Sequence, residues 1–399
     1  MDEEVLRALM DLVGIRSVRY DQEAYNAAVD YILSLINRRL PDAAVEVIPK
    51  ESNYKGVKRI VKNILAYVDA GADETVALVS HYDVVDAKGP RKIKVGDTEM
   101  TFDPFKPTLI GNRLYGRGAA DDKSAVIASI YATKKARDRL SKNVLLVIVG
   151  DEEIGGEAGI KAVADKVIDL ANEVIVIDGN YKVVANGASG VIHAEISVKG
   201  TQGHAGMPFY YRNPINSLIR MLNTMLNRNV FGAYSELPAR GDFKTIADRL
   251  TITGLKAGSE SANVIPPIAS ARIDYRYVAK RPKEAEDMLK RMIVNAGISV
   301  GLSQDDLEIK ILGNHPSRYI PKDHPFVQKF KEVAEAVTGD KHEVGVERGG
   351  NDGFIFANRG IPTITYGAMC KDSNIHGPLE NLRLDIFEKL IAVLEAYLG

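Results

Sequence analysis

Residues 143–156 read NVLLVIVGDEEIGG, an apolar run that opens directly onto Asp151, Glu152 and Glu153 and then onto glycines. A short apolar run bounded by turn residues reads as a strand buried on both faces. Three other runs repeat the arrangement: TVALVS at 75–80 leads into His81 and Asp83, EVIVI at 173–177 into Asp178, and IPTITYG at 361–367 precedes His376. Helical patterns alternate with them. One is the amphipathic segment MDEEVLRALMDLVGI, and the next places Tyr25, Val29, Ile32 and Ile36 on one face. This alternation predicts an α/β fold with a mostly parallel central sheet. Open sheets of that kind bind ligands at the carboxyl ends of their strands, so the acids and histidines that follow these runs are expected to cluster there.

The pattern changes between about residues 190 and 313, to VIHAEISV, a helix, RLTITGL, IASARIDYRY, a second helix and LEIKIL. This is a βαββαβ order, a split ferredoxin-like unit. The first helix is expected to present Ile215, Leu218, Ile219, Leu222 and Leu226 on one face, and the second Ala285, Met288, Leu289 and Met292. A helix with Phe326, Phe330, Val333 and Val337 then leads back to the last strand. The expected organisation is a discontinuous catalytic domain, residues 1–189 and 314–399, with an inserted lid and dimerisation domain at 190–313. A length of 399 residues suits two unequal domains better than one core.

Bulk composition narrows the function. Lys plus Arg total 52 and Asp plus Glu 53, so no net field favours nucleic acid or an anionic membrane. No stretch is apolar for long enough to span a bilayer, and the acidic start lacks the form of a signal peptide. Cys370 is the one cysteine, which excludes an internal disulfide and an all-cysteine metal site and fits a reducing cytoplasm.

A site for two divalent ions needs nitrogen and carboxylate ligands, one group that bridges both, and an open position for water. The strand ends supply that inventory. Each piece alone also has an ordinary reading. His81 and Asp83 form H-Y-D, whose spacing lets a carboxylate orient an imidazole, although a lone His-x-Asp is more often a surface turn. Asp121, in GRGAADDKSAVIAS, is placed as a bridge or as an N-cap, and Lys123 reads as a solvated side chain. The adjacent Glu152 and Glu153 invite a division between proton transfer and metal binding. Asp178, before Gly179, otherwise marks a turn, and His376, in NIHGPLEN, would otherwise be ordinary surface.

Taken in order, H-Y-D, GRGAADDK, GDEE, Asp178, GTQGHAGMP and IHGPLEN resemble the metallopeptidase and deacylase family that includes glutamate carboxypeptidase, acetylornithine deacetylase, succinyl-diaminopimelate desuccinylase and aminoacylase. The resemblance covers nearly the whole chain. It implies that His81, Asp121 and Asp178 hold one metal and Asp121, Glu153 and His376 the other; the mixed imidazole and carboxylate set favours zinc, with cobalt or manganese as substitutes. It makes Asp83 the group that orients His81 and Glu152 the general base. It further implies that His204 stabilises the oxyanion, often from the partner subunit of a homodimer, and that Asn263 and Arg276 bind a substrate carboxylate. Gly206 stands where many relatives carry serine, and GGNDGFIFANRGIP follows a family pattern near the cleft that leaves Gly350 and Asp352 without a named role.

The resulting expectation is a metal-dependent amidohydrolase acting on a dipeptide or an N-acyl amino acid with a free carboxylate: a carboxypeptidase, dipeptidase or deacylase. The competing reading is a ligand-binding protein on the same fold that has lost catalysis. A serine or cysteine hydrolase is disfavoured, because no G-x-S-x-G elbow follows a strand and Cys370 has no evident partner.

Overall fold

Seven strands of the central sheet position the strand-end residues: β1 (Ala44–Tyr54), β2 (Val57–Val68), β3 (Thr75–His81), β4 (Asn143–Val149), β5 (Glu173–Val176), β6 (Val183–Ala188) and β7 (Thr363–Thr365). They appear in a computed structural model that describes every residue except 55, 96–97, 227–236, 239–244, 247, 278–279 and 348. The sheet order is β1-β2-β4-β3-β5-β7-β6. The four middle strands, β4, β3, β5 and β7, run parallel, while β1, β2 and β6 pair antiparallel at the flanks. The expected parallel sheet is thus its central part.

Two compact units divide the chain. One contains residues 1–187, 320–345 and 351–399, the other 188–319 and 346–350. In the first unit every residue of β3 and β4 is buried, because successive side chains enter different layers. Val76, Leu78, Val144 and Leu146 join a core with Leu9, Ile32, Ile127 and Phe387, which come from four covering helices. Ala77, Val79, Leu145 and Val147 face the opposite way, onto Ile160, Val163 and Phe356. Each such fully buried aliphatic side chain contributes roughly 1.5–3 kcal/mol. The N-terminal helices start where the chain supplies caps: Asp2 accepts from the amide of Glu4 at 2.8 Å and Asp21 from that of Ala24 at 2.9 Å.

The second unit holds a four-stranded antiparallel sheet of Arg249–Ala257, Ile268–Tyr277, Gly190–Lys199 and Leu307–His315, in that spatial order. Helices Pro214–Leu226 and Pro282–Ser299 pack on one of its faces through Leu218, Met221, Leu289 and Ile293, against Ala194, Ile196, Ala271 and Ile273. The first helix differs from expectation. Its buried stripe is Leu218, Met221, Leu222 and Met225, while Ile219 is 56% and Leu226 48% exposed. Counting i, i+3, i+4 and i+7 from Leu218 selects the methionines and turns Ile219 outward. Among the described residues no helix is long and apolar enough to cross a membrane.

Candidate metal centre

Strand register brings the site together before any side chain is considered. His81, the last residue of β3, lies opposite Val149 of β4, and Val79 opposite Val176 of β5, so Asp151–Glu153 and Asp178 leave the sheet beside His81. The β4 exit is tightly wound. Asp151 adopts φ 72°, in the left-handed region that few residues other than glycine occupy. Its carboxylate accepts from the amide of Ala158 at 3.1 Å, from Ser52 Oγ at 3.2 Å and from buried Arg59, while its carbonyl accepts from the amide of Gly156 at 2.7 Å. A Cβ on Gly159 would collide with the carbonyl of Gly150, which is why the turn is written with glycines.

Asp121 is placed by a second device. Glu380 is buried, and its Oε1 accepts from the amides of Gly118 (3.0 Å), Ala120 (3.1 Å) and Asp121 (3.1 Å). Its other oxygen pairs with Arg117, whose guanidinium also donates to the carbonyls of His376 (3.1 Å) and Gly377 (3.2 Å). This clasp ties the Asp121 loop to the His376 loop. Asp122 accepts from the amide of His81 at 3.1 Å.

Asp121 then faces two ways. Its Oδ1 lies 3.2 Å from His81 Nε2 and its Oδ2 3.1 Å from His376 Nε2. His376 is also 3.1 Å from Glu153 Oε2, and Glu152 Oε2 lies 4.0 Å from His81 Nε2. The carbonyl of Asp83 is 3.0 Å from His81 Nδ1, which keeps a proton on Nδ1 and makes Nε2, the nitrogen facing the acids, the one a metal would take. The carboxylate of Asp83 stands 3.4 Å from the same nitrogen and accepts from the amides of Glu152 (3.2 Å) and Glu153 (3.3 Å). One residue thus fixes both the imidazole and the turn that bears the two glutamates.

Among the described residues, two groups have ligand atoms that all lie within 4.8 Å of one another: His81, Asp121 and Asp178, and Asp121, Glu153 and His376. The chemistry of the cluster fits cations. Burial, reinforced by Asp121, Asp122 and Glu152, holds Asp178 well above the usual carboxylate range, and burial with Asp352 and Glu153 does the same to Glu152. Burial pushes Asp352 up to about 7. Hydrogen bonds to Asp121 and Glu153 raise His376 to about 10. So many acids in one buried place call for positive charge, and these donors are the nitrogen and oxygen set that suits divalent metals.

A family model described as peptidase family M20/M25/M40 matches residues 77–399. The chain belongs to that family. Membership makes this M20/M25/M40 protein a metal-dependent hydrolase and gives no support to the non-catalytic reading. It is 28% identical over 338 residues to a succinyl-diaminopimelate desuccinylase of Colwellia psychrerythraea, with 80% of this chain and 78% of the relative covered. Among solved structures, an M20 family metallo-carboxypeptidase from Sulfolobus solfataricus shares the fold with TM-score 0.75 at 23% identity, covering 100% of this chain and 99% of that one. Human carnosine dipeptidase 1 gives TM-score 0.77 at 17% identity, covering 99% and 95%.

The second unit of this M20/M25/M40 protein holds His204, Asn263 and Arg276, and the first unit Lys123 and Asp352. His204 is exposed, and its Nδ1 accepts from the amide of Gly206 at 3.0 Å, so its proton sits on Nε2. The backbone N–H of Gly206 makes this bond. Asn263 is beside it, its carbonyl accepting from the amide of Ala205 at 2.8 Å. Arg276 is not brought to them, since it lies near the opposite end of the strand Ile268–Tyr277 from the turn that carries Asn263. Lys123 is not solvated: it is fully buried, donates to the carbonyl of Ile15, and burial pulls its ammonium down to about 7. Asp352 is buried as well, and its charge acts on Glu152.

A pH experiment follows for the M20/M25/M40 enzyme. The raised His81 and His376 give the metal-free fold stability that is present below about pH 6.5 and is lost as pH rises through their folded values. The raised Asp178, Glu152 and Asp352 act in the same direction, because the folded metal-free chain binds more protons than the unfolded one. Asp121, held below its ordinary range by His376 and His81 despite burial, titrates under this window. Metals replace those protons. The gap in melting temperature between metal-loaded and chelated protein should therefore widen by on the order of 5 °C from about pH 5 to about pH 8. A gap that narrows over that range in scanning fluorimetry would contradict this charge balance.

Proposed function

We propose that the protein is a two-metal amidohydrolase that cleaves the amide bond of a dipeptide or an N-acyl amino acid carrying a free carboxylate. The observation that carries this reading is Asp121, whose two oxygens address His81 and His376 separately, with Glu152 alongside. His81, Asp121 and Asp178 would hold one ion, and Asp121, Glu153 and His376 the other. The mixed imidazole and carboxylate set favours zinc, with cobalt or manganese as substitutes. Bound there, the ions supply Lewis acidity toward the scissile carbonyl and lower the pKa of a water.

The chain's own groups do the rest. Glu152, outside both ligand groups, accepts the proton of the attacking water and returns it to the leaving amine. Asp83 orients His81 and steadies the Glu152 turn. His204, protonated on Nε2, donates to the developing oxyanion, Arg276 binds the substrate carboxylate, and Asn263, which lies beside His204 and apart from Arg276 in one copy, would reach the same carboxylate from the partner copy. We take the four-stranded sheet with its two helices as the ferredoxin-like lid, and infer that His204 is supplied by the partner copy of a homodimer. The apolar surface left by Ile219 and Leu226 supports a contact between copies through this segment. The single cysteine suits the cytoplasm.

The test is metal content and hydrolysis measured together, on a panel of dipeptides, N-acetyl and N-succinyl amino acids and their C-terminal amides. The expected result is about two metals per chain, activity lost with chelator, and turnover much slower, though measurable, on the amides than on substrates with a free carboxylate. A chain that takes up no divalent ion under any loading condition would defeat the reading. Turnover of the amides as fast as the acids would remove the carboxylate requirement.

A further inference from the structure

The face of the four-stranded sheet opposite its helices carries a network built around Asp274. This carboxylate, 16% exposed, accepts from Arg276 Nε at 2.7 Å and from Arg276 Nη2 at 2.9 Å. From the neighbouring strand, His193 Nε2 lies 3.1 Å from Asp274 Oδ2, and the two residues are directly paired in the register. Asp274 is therefore held from two strands while it grips one side of a single guanidinium. Across the other strand pair, Arg249 lies directly opposite Arg276. Two arginines directly opposite across a ladder repel, and the carboxylate of Asp274, two residues along the same strand, is what holds Arg276 in place.

A guanidinium has two forks that match a carboxylate: the side formed by Nε with one Nη, and the end formed by both Nη groups. Here the side fork is taken. The end fork is the one left for a ligand, in an orientation fixed by the same contact that removes the rotamer freedom of a long side chain. We propose that Asp274 is a positioning residue for substrate recognition: it holds Arg276 by its Nε side so that the terminal Nη1 and Nη2 edge meets the free carboxylate of the substrate. This rests on the reading of Arg276 as the carboxylate-binding group. Asp274 itself touches no substrate. Its effect is on binding and not on the bond-breaking step.

The experiment compares Asp274→Asn and Arg276→Gln on the best substrate of the panel and on its C-terminal amide. Asparagine is isosteric but cannot hold both guanidinium donors, so KM for the acid should rise roughly tenfold with kcat within about twofold of wild type. The amide should show no such change, a split that general damage to the sheet would not produce. Asp274→Glu, which keeps the charge and displaces the guanidinium, should fall between the two. If Arg276→Gln raises KM while Asp274→Asn leaves it unchanged or lowers it, the positioning role is overturned and the Arg276 reading stands. If both variants keep the wild-type KM, the Arg276 reading fails and the proposal fails with it.

Discussion

Glu152→Gln is expected to keep its metals and lose a factor of roughly 100 to 10,000 in kcat. Glu152 belongs to neither group of ligand atoms within 4.8 Å of one another, so its carboxylate can be neutralised without removing a donor. The amide has the same shape, and the turn survives because Asp83 grips Glu152 through its backbone N–H. What disappears is the only function the substitution targets, the acceptance and return of a proton. KM should stay within about threefold, since the interaction removed is made in the transition state. Metal analysis beside steady-state kinetics decides the matter: a fully loaded variant with kcat within tenfold of wild type would mean that another group moves the proton. Asp352, buried beside Glu152 and raised to about 7, would then be the first to examine.

Asp121→Ala should have the larger effect on metal content, with both sites lost and activity below detection. Every other candidate donor serves one group, whereas Asp121 is common to both. His376→Ala provides the contrast, because it opens one group and leaves His81, Asp121 and Asp178 intact. The fold should tolerate the loss of Asp121. Glu380 holds that position by the main chain, and removing one member of a crowded acidic cluster relieves Asp178, Glu152 and Glu153, all of which are raised in part by Asp121. Against that relief stands the loss of the carboxylate that pairs with His81 and His376 and is itself held below its ordinary range, so chelated Asp121→Ala protein should melt within about 5 °C of chelated wild type near neutral pH. A variant that retains about two metals per chain would show that Asp121 bridges nothing.

His81, Glu153 and Asp178 were legible because each follows a recognisable strand, and a parallel sheet turns that one-dimensional fact into proximity; Asp121 was read from its place in a loop between two such strands. Runs such as TVALVS and NVLLVIVG announce their burial, and the carboxyl ends of parallel neighbours must lie along one edge. The clasp around Asp121 was not legible. Glu380 in GPLEN looks like any loop glutamate, and only the fold reveals that three amides and Arg117 converge on it. Arg59 was missed for a similar reason: it sits in the strand VKRIVKNILAYV between exposed Lys58 and half-buried Lys62, yet its side chain is buried against Asp151. Lys123 was misread because lysine is seldom buried, a statistical expectation that a local contact to Ile15 overrides. The helix at 214–226 was found but rotated, since methionine fills a core as readily as isoleucine and the apolar pattern admitted two faces.

The clasp and the candidate ligands also set an order of events during synthesis. His81, Asp121, Glu153 and Asp178 leave the ribosome before most of the four-stranded sheet is made, but His376 and Glu380 only after the whole of it. An unfinished polypeptide thus exposes a few weak donors and no completed pair of sites. A pair of sites therefore waits for residue 376, so a chain stalled or truncated before it should hold at most the one ion that His81, Asp121 and Asp178 can offer.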